Sequence, residues 1–312
     1  MDLHYLENII CIADEKSITK AAEKRFVTQS ALNQQLQKLE EELNTPLFYR
    51  TRSNWQPTEA GTIYLEAARM MIQMRRDAYG RIADVAERNN RHLAIGLIPE
   101  RGVEMFTSVY PEFHEAFPDV RIEPYECAVR DIQKGISDGT LDLGLATLRQ
   151  DQMDENEYHS LAEEEIVLAV PAEHDLSEGG ALSPRNAPEI GIERFSDVPF
   201  IRIYRKSTLF EITEQIFKRA GFSPKELFST SSNISKYRIV EAGLGCALIP
   251  ETYAQTTGKV RYFRLPEHPL WQITICSCRN AYLGKPERVF IQLCRSYWKK
   301  KIMHTSVVEK AQ

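Results

Sequence analysis

Apolar residues recur at helical spacing through the first ninety positions. Leu3, Leu6, Ile9, Ile10 and Ala13 share one helical face. Ser17 is placed to cap a short second helix, 18–25, in which Ala21 and Ala22 are small enough for close packing. Phe26 and Val27 follow, and their apolar side chains predict a turn tucked inward. Thr28 caps a third helix to about Leu43, with Leu32, Leu36, Leu39 and Leu43 as its buried stripe. Residues 47–50 favour a strand, 51–54 a turn, and 55–56 a returning strand, which makes a short hairpin. Thr58 then caps a long helix to about residue 88. Its stripe of Tyr64, Ala67, Met71, Met74, Ala78, Ile82 and Val85 suits a partner helix, in a two-fold dimer.

From Leu93 the texture changes. Apolar runs of strand length (93–97, 120–125, 141–146, 166–170, 199–204, near 227, 246–249, 271–277) alternate with amphipathic helices (103–117, 131–137, 208–220, 234–242, 286–300). Such alternation predicts a mostly parallel α/β sheet, here in two similar lobes. Open α/β sheets bind ligands at the carboxyl ends of their strands, and clefts between lobes are favoured. The expected layout is a helix-turn-helix with its hairpin at 1–58, a linker helix at 59–90, and a two-lobed α/β domain at 91–304, with 305–312 a frayed polar tail.

Composition narrows the class. The content is 43% hydrophobic and 27% charged, ordinary for a globular chain. No run reaches the ~18 apolar residues of a membrane helix. The N-terminus has acids where a signal peptide carries basic residues, so a cytoplasmic protein without a membrane partner is expected. The net charge of −5 speaks against a nucleic-acid binder. Splitting it weakens the objection: residues 16–58 carry seven basic and four acidic groups, a local +3. DNA binding would then rest on a few placed contacts and show a modest salt slope.

The third helix supplies those contacts. Gln29, Ser30, Asn33, Gln34 and Gln37 lie outward near its start, with Lys38 beyond. Amides make paired hydrogen bonds to adenine in the major groove, and a helix N-terminus directs N–H groups at phosphate. Two short helices joined by a tight turn, the second amide-rich outside, form a helix-turn-helix. Arg50 and Arg52 tip a hairpin suited to phosphate or minor-groove contact.

Residues 3–66 carry SITKAAEKRFVTQSALNQQLQKLEEELNTPLFYRTR followed by PTEAG. This frame resembles the LysR-type transcriptional regulators, with the A-A pair, [ST]-Q-x-A-L, L-E-x-x-L, L-F-x-R and T-x-A-G at matching spacing. Ser30 stands where Pro is usual, Asn33 where Ser is usual, Asn44 where Gly is common, and Pro57 where Leu is common. The resemblance implies DNA contacts from Thr28, Gln29, Ser30, Asn33, Gln34 and Lys38, and from Arg50, Arg52, Ser53 and Asn54 of the hairpin. It further implies a pseudo-palindromic double-stranded operator, a homodimer or homotetramer, and RNA polymerase as a partner.

The second half resembles the family's effector domain, with a periplasmic-binding-protein-like fold. The carriers are F-P-D-V at 117–120, D-G-x-L-D-L at 138–143, A-G-F at 220–222 and A-G-L-G-C-A-L-I-P at 242–250. By that resemblance residues 91–304 are the effector-binding domain, and the chain crosses between lobes near 164–170 and 264–270, so that lobe I takes 91–165 and 267–304 and lobe II takes 166–266. The effector meets Pro99, Glu100 and Arg101; Ala128 and Val129; Thr147; and Arg202, Tyr204, Lys206 and Ser207, with Asn233 a further candidate. Many relatives carry Ser or Thr in the first loop, where this chain has Pro99-Glu100. Arg101, Arg202 and Lys206 suit an anion and Tyr204 an aromatic ring, so a small anionic or aromatic effector is expected.

Two other classes compete. A thiol-based redox sensor with the same head needs a reactive Cys and a resolving partner. The six cysteines (11, 127, 246, 276, 278 and 294) match no redox or zinc spacing, and most sit in apolar runs. An enzyme on the α/β lobes is weakly supported: no P-loop, G-x-G-x-x-G, G-x-S-x-G or H-E-x-x-H occurs, and the seven histidines are scattered. No cofactor or metal motif is present in the sequence.

Overall fold

The computed structural model describes residues 3–50, 55–86, 92–205 and 207–304. They form two compact units, Met1–Arg88 with Ala281–Gly284, and Asn89–Asn280 with Lys285–Gln312.

In the first unit, α1 (Leu3–Glu15), α2 (Ile18–Lys24) and α3 (Gln29–Leu43) enclose a small core of Leu6, Ile9, Ile12, Ala21, Ala22, Leu32 and Leu36. The start of each later helix is capped by a hydroxyl, as the sequence predicts. Ser17 accepts from the Lys20 N–H, and Thr28 accepts from the Ala31 N–H at 3.2 Å. Helix α3 stops at Asn44, which takes the left-handed conformation at φ 49°. Strands β1 (Phe48–Tyr49) and β2 (Gln56–Pro57) then pair antiparallel, Phe48 with Pro57 and Tyr49 with Gln56. Thr58 caps α4 (Glu59–Val85) by accepting the Gly61 N–H at 3.0 Å. Gly61 is required there: a Cβ would stand 2.0 Å from the Leu47 carbonyl oxygen, so any side chain would push α4 off the hairpin.

Phe26 and Leu43 depart from expectation: Leu43, the last residue of the predicted buried stripe of α3, is 44% exposed at the helix end. Phe26 does not tuck inward; it is 96% exposed. The chain reverses after α2 through one left-handed residue, Phe26 at φ 54°, which turns its side chain outward. Val27 takes the inward place and packs against the core. On α4 the inward face is Leu65, Ala68 and Ile72, with Tyr64 beside them. Met71, Met74, Ile82 and Val85 of the predicted stripe lie exposed, as a row meant for a partner helix would in a single chain, while Tyr64 of that stripe packs on the core.

The second unit contains β3 (His92–Leu97), α5 (Arg101–Ala116), β4 (Arg121–Glu126), α6 (Val129–Ser137), β5 (Leu143–Leu148) and β6 (Glu157–Pro171). It continues with β7 (Pro199–Ile203), α7 (Thr208–Arg219), β8 (Lys225–Thr230), α8 (Asn233–Glu241), β9 (Ala247–Pro250), β10 (Val260–Phe263), β11 (Leu270–Ser277) and α9 (Lys285–His304). Strand β3 runs parallel to both β4 and β5, and β7 runs parallel to β8. The sheet is nevertheless mixed rather than mostly parallel. Strand β6, 15 residues long, is antiparallel to β11 through Glu165 and antiparallel to β9 from Ile166 onward. One strand thus serves both lobes, and a strand that carries the chain across must be met by a return in the opposite sense. The acid-rich start of β6, 157–165, hides this length from a reading that seeks apolar runs.

The lobe II core gathers Leu168, Val170, Phe195, Phe200, Ile212, Phe217 and Leu248. Phe200 and Phe217 meet edge to face at 5.1 Å. Lobe I buries Leu93, Ile95, Met105, Phe113, Ile132, Leu143 and Leu145. Among the described residues no helix is long and apolar enough to cross a membrane.

Candidate DNA face and effector cavity

The start of α3 leaves its polar groups in solvent. Thr28, Gln29, Ser30, Gln34 and Lys38 are exposed and Asn33 is half-buried, while Leu32 and Leu36 on the opposite side are fully buried. Gln29 Oε1 accepts the Thr19 hydroxyl at 3.1 Å, which orients the amide from α2. Arg50 behaves differently from the free hairpin cation the sequence suggests. Its guanidinium pairs with Glu40 of α3 and lies 5.6 Å over the Trp55 ring. Glu40 also accepts the Leu47 N–H at 2.7 Å, so it ties the hairpin to the helix twice. Arg52, Ser53 and Asn54 lie outside the described residues.

Asn8 was not singled out by sequence reasoning, yet it organises this head. It is buried, donates to Gln35 at 2.8 Å and accepts from Arg25 Nε at 2.9 Å. Neighbouring Glu7 accepts from Arg25 at 2.7 Å and Arg75 at 2.5 Å. Burial works to raise the Glu7 pKa, but the two guanidinium groups outweigh it and hold the carboxyl below its usual range. A polar residue inside the apolar face of α1 was the available signal.

In the second unit a cavity of about 260 Å³ opens between the lobes. Pro99, Glu100 and Arg101 reach it from the loop between β3 and α5, and Ala128 and Val129 from the start of α6. Thr147 lines it from β5, Tyr204 and Ser207 from beyond β7, and Asn233 from the start of α8. Ile98, Cys127, Ile203, Leu209, Tyr253 and Trp271 extend the wall. Lys206 lies outside the described residues, as does the tail 305–312.

The cations proposed for anion binding are placed otherwise. Arg101 is 3% exposed and grips Glu164, itself 1% exposed, with both terminal nitrogens. Glu164 also accepts the Trp271 indole N–H at 2.7 Å and the Thr252 N–H at 3.0 Å. The Arg101 guanidinium stacks 5.1 Å from Tyr253, 5.4 Å from Trp271 and 5.3 Å from Trp298. Burial works to lower its pKa, but the Glu164 charge prevails and raises it. Arg101 is therefore a structural ion-pair partner in the cavity wall, with its charge already met. Arg202 is buried, pairs with Glu214 and lies between the Phe210 and Phe217 rings, away from the cavity. Both reversals have one cause: an arginine that a compact lobe buries must be given a carboxylate by the same fold.

Glu164, Trp271 and Tyr253 escaped sequence reasoning, as did Lys236. Lys236 is 1% exposed and its Nζ donates to the Leu248 carbonyl. Burial, reinforced by Arg202, pushes its pKa down to about 7. The cysteines are free thiols. Burial pushes Cys246 and Cys276 up to about 12, and Cys294, Cys11 and Cys127 are raised by the same cause. Such environments favour the thiol over the reactive thiolate. Among the described residues no cluster suited to a metal ion occurs.

A helix-turn-helix head with a hairpin and a long helix, joined in one chain to two α/β lobes around a cavity, defines the class of ligand-responsive bacterial transcriptional regulators. The chain belongs to the LysR family. Its LysR substrate binding domain spans residues 86–299, and its bacterial regulatory helix-turn-helix of the lysR family spans 3–62. HTH-type transcriptional regulator YwbI of Bacillus subtilis is 29% identical over 304 residues, covering 95% of this chain and 97% of its own. HTH-type transcriptional regulator AlsR of the same organism is 28% identical over 260 residues, 81% of each chain. A full-length OxyR variant from Pseudomonas aeruginosa shares the fold with a TM-score of 0.66 at 20% identity, covering 96% of this chain and 95% of that one. The chain is accordingly a DNA-binding transcriptional regulator with an effector-binding domain.

Proposed function

We propose that this regulator reads its operator through the start of α3 and answers to a small molecule held in the cavity between its lobes. Thr28, Gln29, Ser30, Asn33, Gln34 and Lys38 meet the major groove, and the hairpin residues Arg52, Ser53 and Asn54 meet the backbone or minor groove. Pro99, Glu100, Ala128, Val129, Thr147, Tyr204, Ser207 and Asn233 surround the effector. The exposed α4 row of Met71, Met74, Ile82 and Val85 joins two copies, which presents two recognition helices to a pseudo-palindromic site in the cytoplasm. Ligand that favours one lobe arrangement shifts the population of DNA-competent assemblies. The observation that carries this reading is the cavity, lined from both lobes by Glu100, Val129, Tyr204 and Asn233.

The test uses DNA from upstream of the protein's own gene, footprinted with and without candidate metabolites. Ala128 lies at the cavity wall and its Cβ is not part of a core, so Ala128→Trp fills the space without disturbing one. The expected result is an unchanged footprint for Ala128→Trp with loss of ligand response. A variant that still responds to ligand would place the effector elsewhere.

A further inference from the structure

Glu100 occupies an unusual turn at the cavity. The Arg101 N–H donates to the Pro99 carbonyl at 2.8 Å, and Glu100 between them has φ 58° and ψ −77°. This is the rarer, strained form of the three-residue γ-turn. A non-glycine residue is disfavoured in that conformation and persists only where the surroundings fix it.

The strained turn brings the Glu100 carboxylate across the cavity. Its Oε2 accepts the N–H of Asn233, the first residue of α8, at 3.0 Å. The next capping donor of that helix end, the Ser235 N–H, is taken by Ser232 Oγ at 2.9 Å. A helix N-terminus is a natural seat for a ligand anion. Here the protein fills that seat with its own carboxylate.

No cation among the described residues pairs with it. Among the described residues Glu100 has no ion-pair partner, and its Oε1 carries no hydrogen bond. Arg101 is held by Glu164 and Arg202 by Glu214. Lys236 senses the Glu100 charge, but its Nζ is given to the Leu248 carbonyl and burial drains its own charge near neutral pH. The remaining wall is largely apolar, with Ile98, Val129, Ile203 and Leu209. A carboxylate beside such a wall gains most from a cation that enters with the ligand.

Resting on the reading that this cavity is the effector site, we infer that the effector carries a positively charged nitrogen on an apolar, ring-sized body, and that Glu100 binds that nitrogen. Tyr204 lies exposed at the rim, where its ring face can meet the same charge. Arg101 and Arg202, which suggested an anionic effector, are both held by carboxylates of the fold, and the inferred effector has the opposite sign.

The test is calorimetric titration of the full chain at neutral pH with benzylammonium, benzyl alcohol and benzoate, which share a ring and differ in charge. Benzylammonium is expected to bind at least about tenfold tighter than either other probe, or roughly 1.4 kcal/mol. Glu100→Gln removes that preference while benzyl alcohol still binds, which also shows that the variant is folded. Glu100→Asp keeps the preference in weaker form. The inference is overturned if benzoate binds as well as benzylammonium, if the preference survives Glu100→Gln, or if none of the three binds. Ala128→Trp separates the two levels. If benzoate is preferred and Ala128→Trp abolishes its binding, the charge assignment fails and the cavity remains the site. Binding that survives Ala128→Trp removes the cavity reading itself.

Discussion

The two polar surfaces of this regulator solve opposite problems. At the start of α3, Gln34 and Lys38 face solvent with their hydrogen-bonding capacity open. Inside the second unit, Arg101, Arg202 and Lys236 have each been given a partner by the fold. Polar groups meant for a large, hydrated partner such as DNA can wait in water at little cost. Charged groups in a lobe interior cannot, because an unpaired buried charge is strongly unfavourable. An exposed polar pattern therefore announces a binding face, and a buried one announces mainly the internal needs of the fold.

The largest effect expected from this contrast is at Arg101. Arg101→Ala leaves Glu164 buried with its main counter-charge gone. The expected loss is about 3–5 kcal/mol of stability in urea unfolding. An Arg101 that served an exposed ligand would give a loss within about 0.5 kcal/mol and a change in ligand affinity alone.

Lys236 comes next and is read through pH. Its folded pKa of about 7 lies below the ordinary 10.5. Between those values the unfolded chain holds a proton that the folded chain lacks. Stability from this group is therefore present above 10.5 and falls as pH drops toward 7. The size is on the order of a few kcal/mol for a shift of this kind. Lys236→Met should remove that part of the slope in unfolding measured across the alkaline range. An unaltered slope would show that the amine is solvated.

Gln29 samples the other surface. Gln29→Ala is expected to weaken specific operator binding by about 1–3 kcal/mol in mobility shifts. Stability should change by no more than about 0.5 kcal/mol, since its bond to Thr19 is exposed. Wild-type affinity and specificity in this variant would sink the recognition-helix assignment.

How far the chain could be read in advance follows the same division. The bounds of helix α3 were legible, because Thr28, the leucine stripe and Asn44 are local signals that agree, although the last leucine of the stripe, Leu43, lies exposed at the helix end. The positions around the cavity were reachable through motif order, and the structure brings Pro99, Ala128, Thr147, Tyr204 and Asn233 together. The state of the charges was not legible. Nothing in the neighbourhood of Arg101 along the chain reveals that Glu164, sixty-three positions away, will meet it. Nor does Pro99-Glu100 disclose that the carboxylate will reach Asn233, 133 positions on. Such pairings are products of topology, and the crossing strand β6 that positions Glu164 was itself half hidden by its acids.

The smallest expected effect tests the head at a misplaced hydrophobe. Phe26 is apolar but exposed, and Val27 beside it packs inward. If burial decides the energetics, Phe26→Ala stays within about 0.5 kcal/mol of wild type. Phe26 also holds a left-handed backbone at φ 54°, which disfavours any residue with a Cβ by roughly 1–2 kcal/mol. Glycine relieves that strain but adds about 0.5–1 kcal/mol of chain freedom in the unfolded state. The two terms leave Phe26→Gly about 0.5–1 kcal/mol more stable than wild type by calorimetry. A loss of about 2 kcal/mol or more, the level of a buried aliphatic truncation, would mean that Phe26 is covered in the working protein. The turn of the head would then belong with the buried, internally satisfied regions rather than with the open face of α3.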